Sequence, residues 1–125
     1  MRAFFNFALL SALATAGHAS SPTANVELSN FKFTPTAIQL HAGAPVVLHL
    51  ANVGGSNHNF SAPQFFAAAK LDPQSASLIH DGAVEVRGHS SVDIALVPGA
   101  GQFPVKCTHT LHSSFGMKGS ITVRP

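Results

Sequence analysis

The sequence has few charged residues and no tryptophan or tyrosine. Lys and Arg number 7 and Asp and Glu number 5, which is 10% of the 125 residues, and the formal net charge is +2. So small an excess of positive charge cannot provide the basic surface that follows a nucleic-acid backbone, and we expect no nucleic-acid partner. The aromatic residues are all Phe, 10 in number, so we expect them mainly in an apolar core.

Cysteine is also scarce: Cys107 is the only cysteine in the sequence. Histidine, in contrast, occurs eight times. One cysteine cannot form a disulfide within the chain, so its thiol is free, bonded to another molecule, or bound to something else. The length and the 46% hydrophobic content favour one folded domain and exclude both a disordered chain and a multidomain enzyme.

The first residues resemble a secretory signal. A short basic start at Arg2 precedes an apolar run over residues 3–16, and small residues follow. This run is too short for a membrane-spanning helix, so we expect cleavage after Ala19, with Ala16 as the alternative position, and no membrane insertion of the mature protein. The predicted organisation is a signal peptide over residues 1–19, a domain over residues 20–125, and a periplasmic or secreted location.

The rest of the chain has the pattern of an all-β protein. Short β-favouring runs alternate with Pro, Gly, Asn and Ser about every ten residues, and the alternation around Leu48 and Ile94 predicts that both side chains lie in the core. We predict a sandwich of about eight strands, with a short helix or a loop crossing over residues 63–79. The predicted strands are residues 25–29, 36–41, 46–52, 58–61, 83–87, 91–97, 101–107 and 118–124.

One segment combines three kinds of metal donor. Cys107, His112 and Met117 lie together between two predicted strands. A thiolate, two imidazoles and a weakly bound thioether form the donor set of a blue-copper electron-transfer site. The second imidazole is assigned to His58, which follows a Gly-Gly-Ser turn. The structural alternatives are a buried thiol, a core methionine and a hydrogen-bonded histidine in a turn.

These segments resemble the cupredoxins, the small blue copper proteins. The Cys-x4-His-x4-Met-Lys spacing is similar to that of phytocyanins, and the Cys-Thr and Gly-Met-Lys-Gly steps are similar to azurin, auracyanin and pseudoazurin loops. The resemblance covers residues 31–35, 43–52, 57–60 and 98–123. It implies a Greek-key β-sandwich and one type 1 copper ion bound by His58, Cys107, His112 and Met117.

The resemblance also implies a hydrogen bond between Asn59 and Thr108 that ties the two ligand segments together. His109 has no counterpart in this pattern. We expect it to be either a loop residue that faces solvent or an auxiliary ligand.

The function expected from these residues is that of an exported, soluble carrier of single electrons, a monomer and not an enzyme. Electrons would pass through the exposed edge of His112 to redox proteins that dock on an apolar patch formed by Gly54, Gly55, Leu111 and Phe115. The low net charge argues against strong electrostatic steering. The alternative is a copper-binding module for delivery, storage or sensing, with His109 as its supporting feature, and the same donors would also bind zinc.

Overall fold

The computed structural model describes residues 21–112 and 114–125, so the predicted signal peptide lies outside the described residues. Ten strands and two short helices occur in this part of the chain, and neither helix has the length and apolar sequence needed to cross a bilayer. In chain order the elements are β1 (Thr23–Ser29), β2 (Lys32–Thr34), β3 (Ala37–His41), β4 (Val46–Asn52), β5 (His58–Ser61), α1 (Pro63–Ala68), β6 (Lys70–Leu71), α2 (Pro73–Ala76), β7 (Ala83–Val86), β8 (Ser91–Val97), β9 (Gly101–Lys106) and β10 (Lys118–Arg124).

The strands form two five-stranded sheets, which confirms the predicted all-β sandwich. The first sheet has the order β2-β1-β4-β8-β6 and the second has the order β3-β10-β9-β5-β7. Each sheet contains one parallel pair, β1 with β4 and β3 with β10, and the other pairs are antiparallel. Consecutive strands therefore pass repeatedly from one sheet to the other.

The core lies between the sheets, where every second side chain points inward. Leu48 and Ile94 face each other across β4 and β8 and are fully buried, as the alternation predicts. Phe60 of β5 lies between Phe33 of β2, at a ring-centroid distance of 5.8 Å, and Phe66 of α1, at 6.0 Å. Phe60 therefore links both sheets and the helix. Burial of each such ring contributes about 1.5–3 kcal/mol to the stability of the fold.

All eight predicted strands are present, with ends within two residues of the predicted ones. The structure adds β2 and β6, which are too short to show an alternating pattern. The predicted single helix or loop is two helices, each with a Pro in its first turn. Asp72, an extended residue between β6 and α2, caps the second one, and its carboxylate accepts a hydrogen bond from the Gln74 backbone N–H.

Candidate metal centre

The loop from Cys107 to Met117 is closed by its own backbone. Cys107 directly follows β9, and its N–H donates to the Met117 carbonyl at 3.1 Å. The Met117 N–H in turn donates to the His112 carbonyl at 3.1 Å. Gly116 has a φ of +99°, a backbone conformation that glycine adopts without a steric penalty. The turn brings Met117 back beside Cys107, and both side chains are fully buried.

A buried asparagine fixes the loop that precedes His58. The Asn52 side-chain amide donates to the carbonyls of Ser56, at 2.8 Å, and Val86, at 3.0 Å, and its oxygen accepts from the Gly54 N–H. His58 then starts β5, where it pairs with Val86 and is fully buried. A side chain at the start of a paired strand has a direction set by the pleat, so the imidazole is aimed at the loop after β9.

Three donor atoms converge at this end of the sandwich. The Nδ1 atoms of His58 and His112 are 3.1 Å apart, and Cys107 Sγ lies 3.4 Å from His112 Nδ1 and 4.0 Å from His58 Nδ1. Metal bonds of about 2.0 Å to nitrogen and about 2.3 Å to sulfur, in a trigonal plane, require donor separations of roughly 3.5–3.7 Å. The observed separations bracket this range, so the three side chains fit one metal ion.

Burial and the neighbouring imidazoles favour the neutral form of His58. Burial is the main cause that lowers the pKa of His58, and the nearby His112 and His109 rings lower it further, while Glu85 acts in the opposite direction. A neutral imidazole has a free lone pair, and metal ligands must be in this state. The buried Nε2 of His58 has no hydrogen-bond partner among the described residues, so Nδ1 provides the contacts of the ring.

Asn59 and Thr108 tie the two donor segments together. The Asn59 side-chain N–H donates to Thr108 Oγ1 at 2.6 Å, and the Thr108 backbone N–H donates to Asn59 Oδ1 at 2.8 Å. These are the two residues that the resemblance paired. The Asn59 backbone N–H also donates to Cys107 Sγ at 3.5 Å, and such a donor stabilises a thiolate.

The family model for a cupredoxin-like domain matches residues 2–123. The chain belongs to the cupredoxin family. Two imidazoles and a thiolate with an adjoining buried thioether are the donors typical of a type 1 copper centre, so the cofactor of this cupredoxin is a single copper ion. Cupredoxins pass electrons to redox partner proteins.

The fold is similar to those of solved auracyanin structures. Auracyanin B has 23% identity and a TM-score of 0.62, with 83% of this chain and 89% of that chain covered. A dithionite-reduced auracyanin from Roseiflexus castenholzii has 19% identity and a TM-score of 0.62, with coverages of 84% and 98%. Auracyanin A, a blue copper protein from Chloroflexus aurantiacus, has 18% identity and a TM-score of 0.55, with coverages of 82% and 99%. No curated protein sequence matches this chain.

In this cupredoxin, His109 lies beside His112 but outside the cluster of three donors. Its Nε2 lies 2.9 and 3.0 Å from the two carboxylate oxygens of Glu85 on β7. Its ring stacks on that of His112, with centroids 5.5 Å apart and an angle of 19° between the planes. Among the described residues, the single cluster of three or more potential donors contains His58, Cys107 and His112.

Apolar side chains surround the partly exposed His112. The Phe31 ring packs edge to face with the His112 ring at 5.1 Å and contacts the Phe115 ring at 5.2 Å. Phe31, Leu111 and Phe115 are 39%, 60% and 64% exposed. We call these three residues and His112 the His112 patch. Leu111 and Phe115 were expected from the sequence, whereas Phe31 was not.

Sequence reasoning missed two residues that contact the predicted site, Glu85 and Phe31. Glu85 faces Asn59 across β5 and β7, a pairing that no local pattern reveals. Phe31 has a φ of +57°, which is unusual for a bulky residue, and its place just before the short β2 gave no signal. Both contacts join segments that are distant in the sequence.

Proposed function

We propose that this cupredoxin is an exported carrier of single electrons, with one type 1 copper bound by His58, Cys107, His112 and Met117. The observation that carries the proposal is the convergence of two Nδ1 atoms and one Sγ atom within 4.8 Å of one another, at the end where the Met117 backbone is hydrogen-bonded to Cys107. When bound, copper supplies a one-electron couple between Cu(II) and Cu(I).

The protein's part is to hold the donors still. His58 is fixed by its strand, Cys107 by β9, and the two segments by the Asn59–Thr108 hydrogen bonds. Preorganised ligands leave little to rearrange when the charge of the metal changes. This rigidity suits a carrier better than a delivery protein, which must release its metal.

His112 is the proposed point of electron exit. It is the ligand that reaches the surface, and the His112 patch surrounds it with apolar side chains. Weak redox encounters bury little surface and dissociate fast, which fits a patch of four residues. We therefore propose a monomer that docks its partners there.

Two features argue against an enzyme and against a module for copper delivery, storage or sensing. Four donors complete the coordination of a type 1 site and leave no open position for a substrate, which supports a carrier over an enzyme. His109 would favour a module for copper delivery, storage or sensing if it offered a further donor atom to the metal, but its Nε2 is hydrogen-bonded to Glu85.

The visible absorption spectrum of the Cu(II)-loaded protein tests the proposed site. We expect a strong charge-transfer band from thiolate to copper near ~600 nm, and its loss in Cys107→Ser. The matched control is His49→Gln, because His49 pairs with Asp93 on the surface at 2.6 Å and its loss leaves the band unchanged. A colourless protein that still binds copper would contradict electron transfer and favour binding through His109 and His112.

Export is tested by the mass of the protein recovered outside the cytoplasm. Cleavage after Ala19 leaves Ser20 as the first residue, and cleavage after Ala16 leaves Gly17. An Ala19→Arg variant should block cleavage at the first position, because a bulky charged residue does not suit the small-residue site. Recovery of an intact chain that starts at Met1 would rule out the signal peptide.

A further inference from the structure

We propose that the copper-site end of the molecule docks a negatively charged redox protein, which it recognises through four exposed cations, Lys32, Arg87, Lys106 and Lys118. This inference rests on the proposed electron-carrier function and names the charge of its partner. All four cations lie at the end of the sandwich that carries the His112 patch, so a partner held by them lies over the exposed imidazole.

Two of the cations form a pair of like charges. Lys106 and Lys118 are directly opposite each other on β9 and β10, in the rung next to Cys107 and Met117. Both are exposed. Like charges in directly opposite positions destabilise a sheet, so this pair opposes folding while it concentrates positive charge below the copper loop.

The other two cations lie at the same end. Lys32 follows Phe31 of the His112 patch, and Arg87 follows Val86, the strand partner of His58. Both are exposed. The two ion pairs formed within the described residues both use His, not Lys or Arg, so no carboxylate of that part of the chain neutralises these cations through a direct contact.

Two of the five acidic residues lie at this end, so they reduce its positive charge without cancelling it. Glu85, which is hydrogen-bonded to His109, lies two residues before Arg87. Asp72 and Asp81 lie towards the opposite end, where Lys70 and Arg124 balance them: Lys70 pairs with Val97, and Arg124 with His41. Glu27 lies on β1 diagonally across from Lys32, because Glu27 pairs with Thr34 and Ser29 with Lys32. Asp93, on β8, is hydrogen-bonded to His49. The four cations of the copper-site end therefore outnumber its two carboxylates.

The low net charge thus conceals an uneven distribution, in which the copper-site end is positive. A local field of this kind steers a partner of opposite charge and orients it before contact. The sequence-based expectation of weak steering considers the net charge alone, whereas the steering proposed here comes from the charges at this end. The apolar His112 patch at the same end favours a protein partner over an anionic lipid surface, because a lipid surface has no acceptor for the electron that leaves at His112.

Small redox reagents of opposite charge test the charge at the exit point. In each reaction one electron leaves Cu(I), which becomes Cu(II), and reduces either hexacyanoferrate(III) to hexacyanoferrate(II) or tris(phenanthroline)cobalt(III) to its cobalt(II) form. As the ionic strength rises from ~0.01 M, where the Debye length is about 30 Å, to ~0.5 M, the hexacyanoferrate rate should fall about tenfold. The rate with the cobalt cation should rise.

Two double variants with the same change in net charge locate the effect. Lys106→Gln/Lys118→Gln should lower the low-salt hexacyanoferrate rate about threefold or more, and Lys70→Gln/Arg124→Gln should leave it unchanged. The first variant removes a like-charge pair, so it should fold at least as stably as the parent protein. Equal effects of both variants would mean that only the total charge matters and would overturn the proposal.

A binding measurement that needs no electron transfer separates this proposal from the proposed function. Hexacyanochromate(III), a paramagnetic anion that is inert to reduction, should broaden the amide NMR signals around Lys106, Lys118 and Phe115 of the metal-free protein and not those around Lys70. If the protein has no blue copper band but the broadening is still observed, the proposed electron-carrier function is refuted and the anion-binding face remains. Broadening spread over all lysines would overturn the docking face. Cosedimentation with phosphatidylglycerol vesicles that is lost in Lys106→Gln/Lys118→Gln would overturn it in favour of a lipid surface.

Discussion

Asn59 joins the two segments that carry the donor atoms. Its side chain makes two hydrogen bonds with Thr108, and its backbone N–H reaches the Cys107 sulfur. A side chain that donates and accepts at the same partner fixes both position and orientation. The loss of this amide should therefore affect the fold and the ligand geometry together.

Asn59→Ala should destabilise the metal-free protein by about 1–3 kcal/mol, because it leaves the partly buried Thr108 N–H and hydroxyl without their partner. Thermal unfolding measures this change, which corresponds to a fall in Tm of several degrees.

The control is Asn57→Ala, on the other side of His58, where the side-chain oxygen accepts one exposed hydrogen bond from the Gly88 N–H. It should cost less than half as much. Equal losses of stability in the two variants would show that the Asn59–Thr108 hydrogen bonds stabilise the fold no more than one exposed hydrogen bond does.

For single residues, the sequence indicates the candidate metal ligands better than the side chains that contact them. Cys107, His112 and Met117 share one loop, so their spacing alone indicates a metal site. His58 and Asn59 needed the family resemblance, because they lie about fifty residues earlier. Glu85 and Phe31 could not be found, since their contacts depend on strand register and on an unusual backbone angle.

The copper loop is the element in which backbone strain is concentrated beside the site. Leu111 has a φ of +67° although it is neither glycine nor asparagine, a conformation that costs an L-residue about 1–2 kcal/mol. Its side chain is 60% exposed, so burial returns little of this energy. Such strain is typical of functional positions, and Leu111 belongs to the His112 patch.

Leu111→Asn should stabilise the metal-free protein by about 0.5–1 kcal/mol, because asparagine adopts the left-handed region with a smaller penalty. Urea unfolding should show a higher midpoint with an unchanged slope. Leu78→Asn is the matched control: Leu78 is 44% exposed and is not among the positive-φ residues, so no gain is expected. A gain of the same size in both variants would refute the strain at Leu111.

The elements themselves were predictable where their pattern is long. Strands of four to seven residues with alternating burial, such as β4 and β8, are predicted to within a residue or two. The strands β2 and β6 have three and two residues, which is too short for any periodicity. They exist because tertiary pairing with β1 and β8 holds them in place.

On the scale of the whole molecule, a few aromatic side chains hold the layers together. Phe60 is fully buried and contacts Phe33 in the other sheet and Phe66 in α1. Its loss would open a cavity at the point where all three layers meet.

Phe60→Ala should lower the free energy of unfolding by about 3–5 kcal/mol, which calorimetry or denaturant unfolding of the metal-free protein measures. Phe115→Ala removes the same ring from a position that is 64% exposed and should change stability by no more than about 0.5 kcal/mol. A loss below about 1 kcal/mol for Phe60 would mean that the core closes over the gap.

The parallel pairing of β3 with β10 makes the edge strand β3 depend on the last strand of the fold. Residues 37–41 pair with residues 120–124, and β3 has no other neighbour in the second sheet, so two partners about eighty positions apart must meet before β3 joins that sheet. Contacts so distant in sequence make folding slow, in the range of milliseconds to seconds. The loop with Cys107, His112 and Met117 connects β9 to the same strand, so the donors of the copper site meet only when β10 has paired with β9.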